Sequence, residues 1–116
     1  MHEILSTGLL RAAPPGLNQV FTASTGSDAN GTAYKAAFTW RHANERADAD
    51  FTPEEIESAM RNQAPGAPEY FILSFNGGFH GRTFGSLAIT RSKSIHKLDI
   101  PSFDWPISKR KRCEAV

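Results

Sequence analysis

Two apolar runs, each followed by a glycine-bearing turn and then by a helical pattern, limit what this chain can fold into more than any other feature. Residues 70–75 read Tyr-Phe-Ile-Leu-Ser-Phe, a run too short for a helix and without polar alternation. That predicts a strand buried on both faces. Residues 18–24, Asn-Gln-Val-Phe-Thr-Ala-Ser, are rich in β-branched and aromatic side chains and predict another. After the first run in chain order, Ala29, Ala33, Ala36, Ala37, Trp40 and Ala43 recur at three- and four-residue spacing. This is one helix face, lined by small residues suited to close packing on a sheet. Thr52, Pro53 and Glu55 match an N-cap, a first-turn proline and the returning glutamate of a capping box, with Ile56, Ala59 and Met60 as that helix's apolar side. Pro65, Gly66 and Pro68 break it, and a third helix is expected from Arg82 to Thr90. Ahead of all this, Ile4, Leu5 and Leu9 mark a short helix that Pro14, Pro15 and Gly16 stop. Strand, helix, helix, strand, helix predicts an α/β fold whose two strands are parallel and joined by a right-handed crossover. Two buried strands cannot satisfy their own edges. The chain is therefore expected to be part of a larger sheet.

With 116 residues the chain has the size of one domain or less. Its net charge is +1, of which Lys109, Arg110, Lys111 and Arg112 less Glu114 supply +3, leaving residues 1–108 at −2. Such a body is no basic nucleic-acid binder, and the tail 109–116 reads as a solvated charge run distinct from the domain over 1–108. The single cysteine, Cys113, cannot form an internal disulfide, and the opening residues have an early acid and no long apolar core. An intracellular chain is the expectation. No run approaches the roughly 20 apolar residues of a membrane helix.

The chemistry sits at the two junctions. Where the first strand ends, Gly26 leads into the helix and Ser27 to Asn30 are expected to supply its unpaired N–H groups, which with the helix dipole make a site for a phosphate. An ordinary strand-to-helix turn capped by Ser27 or Asp28 fits the same residues. Neither the P-loop nor the dinucleotide fingerprint is present. The second junction, Asn-Gly-Gly-Phe-His-Gly-Arg-Thr at 76–83, falls at the same carboxyl edge, where open α/β sheets bind ligands. Phe79 is placed to stack on an aromatic ring and Arg82 to fork onto a carboxylate, although a core phenylalanine and a surface arginine account for them as well. His80 is either an acid–base group or a structural one. The four histidines are scattered and the cysteine lies in the tail, so no metal cluster is expected, and no G-x-S-x-G elbow occurs.

Taken in order, "TGSDAN", "AYKAAF" and "NQAPGAPEYFILSFNGGFHGRTFGSLAITRSKSIHKLDIPSFDWPI" resemble the 4-aminobutyrate aminotransferases, within the class-III pyridoxal-phosphate aminotransferases of fold type I. The likeness runs from about Ile4 to Ile107. It implies a partial large domain built of βαβ units on a mainly parallel sheet. It implies pyridoxal 5'-phosphate as cofactor, its phosphate held by backbone N–H groups of Gly26 and Ser27 and its ring stacked by Phe79. Arg82 is then the residue that takes the substrate carboxylate. The implied reaction moves the amino group of 4-aminobutyrate to 2-oxoglutarate in a homodimer, with a Schiff-base lysine as proton shuttle.

Three departures from the family follow. Gly31 stands where relatives commonly carry glutamate, a helix-interior glycine that costs about 1 kcal/mol against alanine. Thr25 and Asp28 replace the cysteines with which some relatives hold an iron–sulfur cluster, so none is expected. Lys35, Lys93 and Lys97 match no Schiff-base position, and after Ile107 the likeness ends. No catalytic residue is therefore assigned, and the chain alone is expected to be an inactive fragment. The alternative is a non-catalytic protein that pairs with an intact subunit. A cytoplasmic or mitochondrial location suits either.

Overall fold

The computed structural model describes residues 2–47 and 49–108, so the basic tail 109–116 lies outside the described residues. Helix α1 spans His2–Leu10 and α2 spans Gly26–Arg46. Next come α3, Pro53–Ala59, the two-residue strand β1, Ser74–Phe75, and α4, Phe84–Ile89. A 3-10 turn at Ser94–His96 and strand β2, Ile107–Ser108, complete the order.

The helices follow from local rules. Helix α1 ends before Pro14, whose carbonyl accepts the Leu17 N–H at 3.1 Å in the turn that follows. In α3 both halves of the capping box form: the Thr52 hydroxyl accepts the Glu55 N–H at 3.2 Å and the Glu55 carboxylate accepts the Thr52 N–H at 2.7 Å. Those bonds hold the Glu55 carboxyl below its ordinary pKa, the Thr52 N–H first among the causes. The predicted apolar side of α3 is turned outward, with Ile56 and Met60 exposed, while Ser58 is buried. The Ser58 hydroxyl accepts the Gly66 N–H at 2.9 Å, and a Cβ on Gly66 would lie 1.8 Å from the Glu55 carbonyl oxygen. Backbone approach, rather than side-chain burial, seats this helix.

Helix α2 also differs from expectation. Ala29, Ala33, Ala36, Ala37 and Trp40 are exposed, whereas Asn30, Tyr34, Phe38 and His42 form the half-buried side. Phe38 packs edge-on to Trp105 and tilted against Tyr70, both at 6.0 Å between ring centres. The Tyr70 hydroxyl donates to Glu45, which lowers the Glu45 pKa and raises that of Tyr70. The inner side of the helix is thus aromatic and polar. Of its small-residue face only Ala43 is half-buried.

Strand formation is the main correction. Residues 18–24 are not a strand, because they find no ladder partner among the described residues, and Phe21 is exposed. Of the run 70–75 only Ser74 and Phe75 pair, and they pair in parallel with Ile107 and Ser108, which the sequence did not mark as a strand. The Ser74 N–H donates to the Pro106 carbonyl at 3.1 Å and the Asn76 N–H to the Ser108 carbonyl at 3.3 Å. Helix α4 and the 3-10 turn lie in the connection, as a crossover between parallel strands requires. The run is buried on one side only: Tyr70 and Ile72 are half-buried and Ser74 is 1% exposed, whereas Phe71, Leu73 and Phe75 stand out on the other side at 51–61%.

The core is α4. Ser86, Leu87, Ala88, Ile89 and Thr90 are all buried, and the three apolar ones are the whole apolar core among the described residues. The Lys97 ammonium closes the end of α4 by donating to the Leu87 carbonyl, and burial followed by the nearby Arg91 depresses its pKa. Arg91 ties the strand pair together, its guanidinium reaching the Trp105 carbonyl at 3.1 Å and the Ser74 hydroxyl at 3.4 Å. No described helix is long and apolar enough to cross a membrane.

Candidate functional site

The two junctions meet. The N-terminus of α2 and the loop 76–83 line an open cleft of about 750 Å³ whose walls include Gly26, Ser27, Asn30, Phe79, His80 and Arg82.

Thr25, not Ser27 or Asp28, caps α2. Its backbone is extended, and its hydroxyl accepts the Asp28 N–H at 3.2 Å while donating to the Asp28 carboxylate at 3.0 Å. The acid is thereby tied back to the cap. The Ala29 N–H donates to the Thr25 carbonyl at 3.0 Å. The expected set of open donors at 27–30 is accordingly shifted: Gly26 and Ser27 are the first-turn residues whose N–H groups have no acceptor among the described residues. They stand at the positive end of a 21-residue helix. A Cβ built on Gly26 meets nothing within 4 Å, and its φ is not positive. Glycine is therefore not required there by the chain's own packing.

Ser27 belongs to both junctions. Its hydroxyl accepts the N–H groups of Arg82 and Thr83 at 3.1 and 3.0 Å and shares a 2.8 Å hydrogen bond with the Thr83 hydroxyl. Its carbonyl accepts the Ser86 hydroxyl at 2.9 Å. Thr83, the N-cap of α4, makes no side-chain cap bond of its own, while Ser27 of α2 binds the two N–H groups that lead into that helix. On α2 the Tyr34 hydroxyl is buried with no hydrogen-bond partner among the described residues. Burial raises its pKa, and the neighbouring Ser86 hydroxyl offsets part of the rise.

The loop between Phe79 and Arg82 is held through its backbone by side chains from other parts of the chain. Gly81 has φ +111, and a Cβ there would sit 2.2 Å from the Ser27 Oγ and 2.6 Å from its Cβ. The His80 carbonyl accepts the Asn30 side-chain amide at 2.8 Å, and the His80 N–H donates to the Thr90 hydroxyl at 2.9 Å. That hydroxyl in turn donates to the Gly81 carbonyl at 2.8 Å. Of the two readings open for His80, the geometry employs its backbone structurally, and its ring lies beside Gly78. Phe79 is 56% exposed on the cleft wall, with its ring edge-to-face on His96 at 5.6 Å. Arg82 is exposed and makes no ion pair among the described residues. No group of three or more potential metal ligands occurs among the described residues.

All four sequence-predicted residues, Gly26, Ser27, Phe79 and Arg82, line this one cleft. Sequence reasoning missed the side-chain roles of Thr25, Asn30 and Thr90. The signal for Thr25 was its place three residues before Asp28, the spacing of a cap bond. Asn30 and Thr90 act across 50 and 10 residues of chain, so no local pattern carries them.

The arrangement offers two free N–H donors for an anion, an exposed aromatic ring and an unpaired guanidinium around one opening. A family model described as "Aminotransferase class-III" matches residues 2–114. The chain is 63% identical over 106 residues to a 4-aminobutyrate aminotransferase of Emericella nidulans, covering 90% of this chain and 21% of that protein. It is 55% identical over 106 residues to the mitochondrial 4-aminobutyrate aminotransferase of Sus scrofa, covering 91% and 21%. Among solved structures, a lysine aminotransferase from M. tuberculosis superposes with a TM-score of 0.65 at 24% identity, over 95% of this chain and 22% of that one, a likeness of fold. The chain thus spans about a fifth of the length of the curated relatives it matches.

Proposed function

Because this chain belongs to the class-III aminotransferases, we propose that its cleft is the phosphate, ring and carboxylate portion of a site for pyridoxal-phosphate-dependent transfer of an amino group from 4-aminobutyrate to 2-oxoglutarate. Its fold is a piece of the large domain of such enzymes, with a short parallel sheet. The observation that carries the reading is that Gly26 and Ser27, whose N–H groups have no acceptor among the described residues, line the same opening as Phe79 and Arg82.

The residues fit the group. A phosphate needs donors at a helix N-terminus without a competing carboxylate, and Asp28 is held by Thr25. A pyridine ring needs an exposed aromatic face, which Phe79 supplies, and open space, which the absence of a Gly26 side chain supplies. Bound pyridoxal phosphate would supply the electron sink that makes the amino donor's C–H bond acidic. This chain's own contribution is binding and orientation: the Gly26 and Ser27 N–H groups anchor, Phe79 covers and Arg82 forks onto the donor's carboxylate. Lys35, Lys93 and Lys97 lie outside the residues lining the cleft, and the Lys97 amine is engaged by the Leu87 carbonyl. The 116-residue chain is therefore expected to bind but not to turn over. The domain reading stays with 1–108 as the aminotransferase portion and 109–116 as a separate tail.

The test is a graft. Residues 2–108 replace the matching segment of the Emericella nidulans relative, and amino transfer from 4-aminobutyrate is measured alongside Arg82→Ala and Phe79→Ala. The reading expects activity in the graft and a loss of two to three orders of magnitude in kcat/KM for Arg82→Ala, about 3–4 kcal/mol of charge-assisted binding. A graft whose activity is indifferent to Arg82 would sink it. A second reading, pairing of the chain with an intact subunit, is favoured by the exposed row Phe71, Leu73 and Phe75. Co-purification of the tagged chain with an intact subunit tests it. The location proposed is cytoplasmic or mitochondrial, the second on the strength of the mammalian relatives' names.

A further inference from the structure

We propose that Asn30 and Thr90 are positioning residues that clamp the backbone of His80 and Gly81 and thereby set where Phe79 and Arg82 stand. The inference rests on the reading above, in which Arg82 takes a carboxylate and Phe79 a ring.

Those two residues lie between Phe79 and Arg82 in the chain. Their backbone orientation therefore sets the directions in which the two functional side chains leave the loop. The His80 N–H, the His80 carbonyl and the Gly81 carbonyl are all bound to side chains from elsewhere: Thr90, Asn30 and Thr90 again. The following N–H, that of Arg82, is bound to Ser27. Such a clamp has a physical reason. Gly81 is forced to be glycine because Ser27 fills the space a Cβ would need, and glycine admits more backbone conformations than any other residue. Sterics alone would leave the loop free to change its peptide orientation, so polar contacts must select one. Thr90 is fully buried at 0% exposure and its hydroxyl serves as both acceptor and donor, so it cannot also meet a ligand. The Asn30 amide comes from the second turn of α2, the helix whose first turn carries the open N–H groups. One helix thus holds both halves of the cleft in register.

The test uses three variants in the full-length graft. Thr90→Val keeps the shape and removes both bonds. Asn30→Leu keeps the approximate shape, adds no charge to the cleft wall and removes the donor to the His80 carbonyl. Thr90→Ser keeps the hydroxyl. The readouts are amide hydrogen exchange across 79–82, affinity for glutarate as an unreactive dicarboxylate probe, affinity for inorganic phosphate, and the split between KM and kcat. In Thr90→Val and Asn30→Leu, exchange at His80 and Arg82 is expected to speed up about tenfold and glutarate to bind about five- to tenfold more weakly. KM for 4-aminobutyrate should rise by a similar factor with a smaller change in kcat. Phosphate affinity should stay within about twofold, and Thr90→Ser should resemble the parent. Unchanged exchange and glutarate affinity in both variants overturns the proposal, as does a parallel loss of phosphate affinity, which would mean general loosening. Equal loss in Thr90→Ser also overturns it. If instead Arg82→Ala leaves glutarate affinity untouched, the carboxylate reading fails and the clamp stands or falls on exchange rates alone.

Discussion

The two glycine-bearing junctions differ in what glycine does for each. At Gly81 the chain itself demands it: φ is +111 and the Ser27 side chain occupies the place of a Cβ. At Gly26 the chain demands nothing, since the backbone is helical and a Cβ would meet open space. One glycine serves the fold and the other leaves room. The contrast separates two meanings that a glycine-rich turn carries in sequence, and each can be broken on its own.

The largest effect is expected at the closed junction. Gly81→Ala must move the backbone away from positive φ or displace Ser27, whose hydroxyl binds the Arg82 and Thr83 N–H groups. A loss of about 2–4 kcal/mol in denaturant unfolding of the full-length graft follows. Stability equal to the parent would mean that Ser27 yields freely and that the junctions are not locked together. Ser27→Ala comes next. It leaves two N–H groups ahead of α4 without their acceptor but in a partly wet place, so about 1–2 kcal/mol is expected by the same measurement. A smaller effect than that of Thr52→Ala would show that water replaces Ser27 without cost.

The cap of α3 supplies the calibration, because it is a junction of ordinary construction outside the residues lining the cleft. Thr52→Ala should cost about 1 kcal/mol. Its partner brings a pH signature. The folded-state pKa of Glu55 is depressed, so its contribution is complete above the unfolded value and is lost as pH falls through the folded one. The destabilisation caused by Glu55→Gln should accordingly be full at pH 7, begin to shrink as pH falls below about 4.3, and vanish once pH passes the lower folded value. A penalty that persists at pH 2 would show that the carboxylate's charge is not what closes the box.

How far the fold was legible follows the range of the interactions involved. The capping box at Thr52, Pro53 and Glu55 acts across a spacing of three residues and was readable, as were the existence of α2 and the turn chemistry at 76–83. The strands were not, because a strand exists through its neighbours: residues 18–24 have the composition without a partner, and Ile107–Ser108 have a partner without the composition. The inward side of α2 was misread for a related reason. Spacing identifies a stripe of alanines but not what meets it, and the aromatic side led by Phe38 found Tyr70 and Trp105 instead. At the cleft, Gly26, Ser27, Phe79 and Arg82 were legible through local motif and family resemblance. Asn30 and Thr90 were not, since each acts on a distant backbone.

The smallest change in stability is expected at the open junction, and it is the most informative. Gly26→Ala puts a methyl group where no described atom lies within 4 Å, at a helical position where alanine is favoured over glycine by up to about 1 kcal/mol. The folded chain should be as stable as the parent or slightly more so. Yet the methyl sits beside the Gly26 and Ser27 N–H groups on the cleft wall, where a phosphate would approach. Affinity for pyridoxal phosphate and for inorganic phosphate should therefore fall by about tenfold or more, measured by titration calorimetry on the graft, while unfolding hardly moves. Loss of binding without loss of stability is the mark of a glycine kept for a ligand, the reverse of the pattern at Gly81. If phosphate binds Gly26→Ala as tightly as the parent, the open N–H pair is not the anchor, and the two glycines differ only in how the chain packs around them.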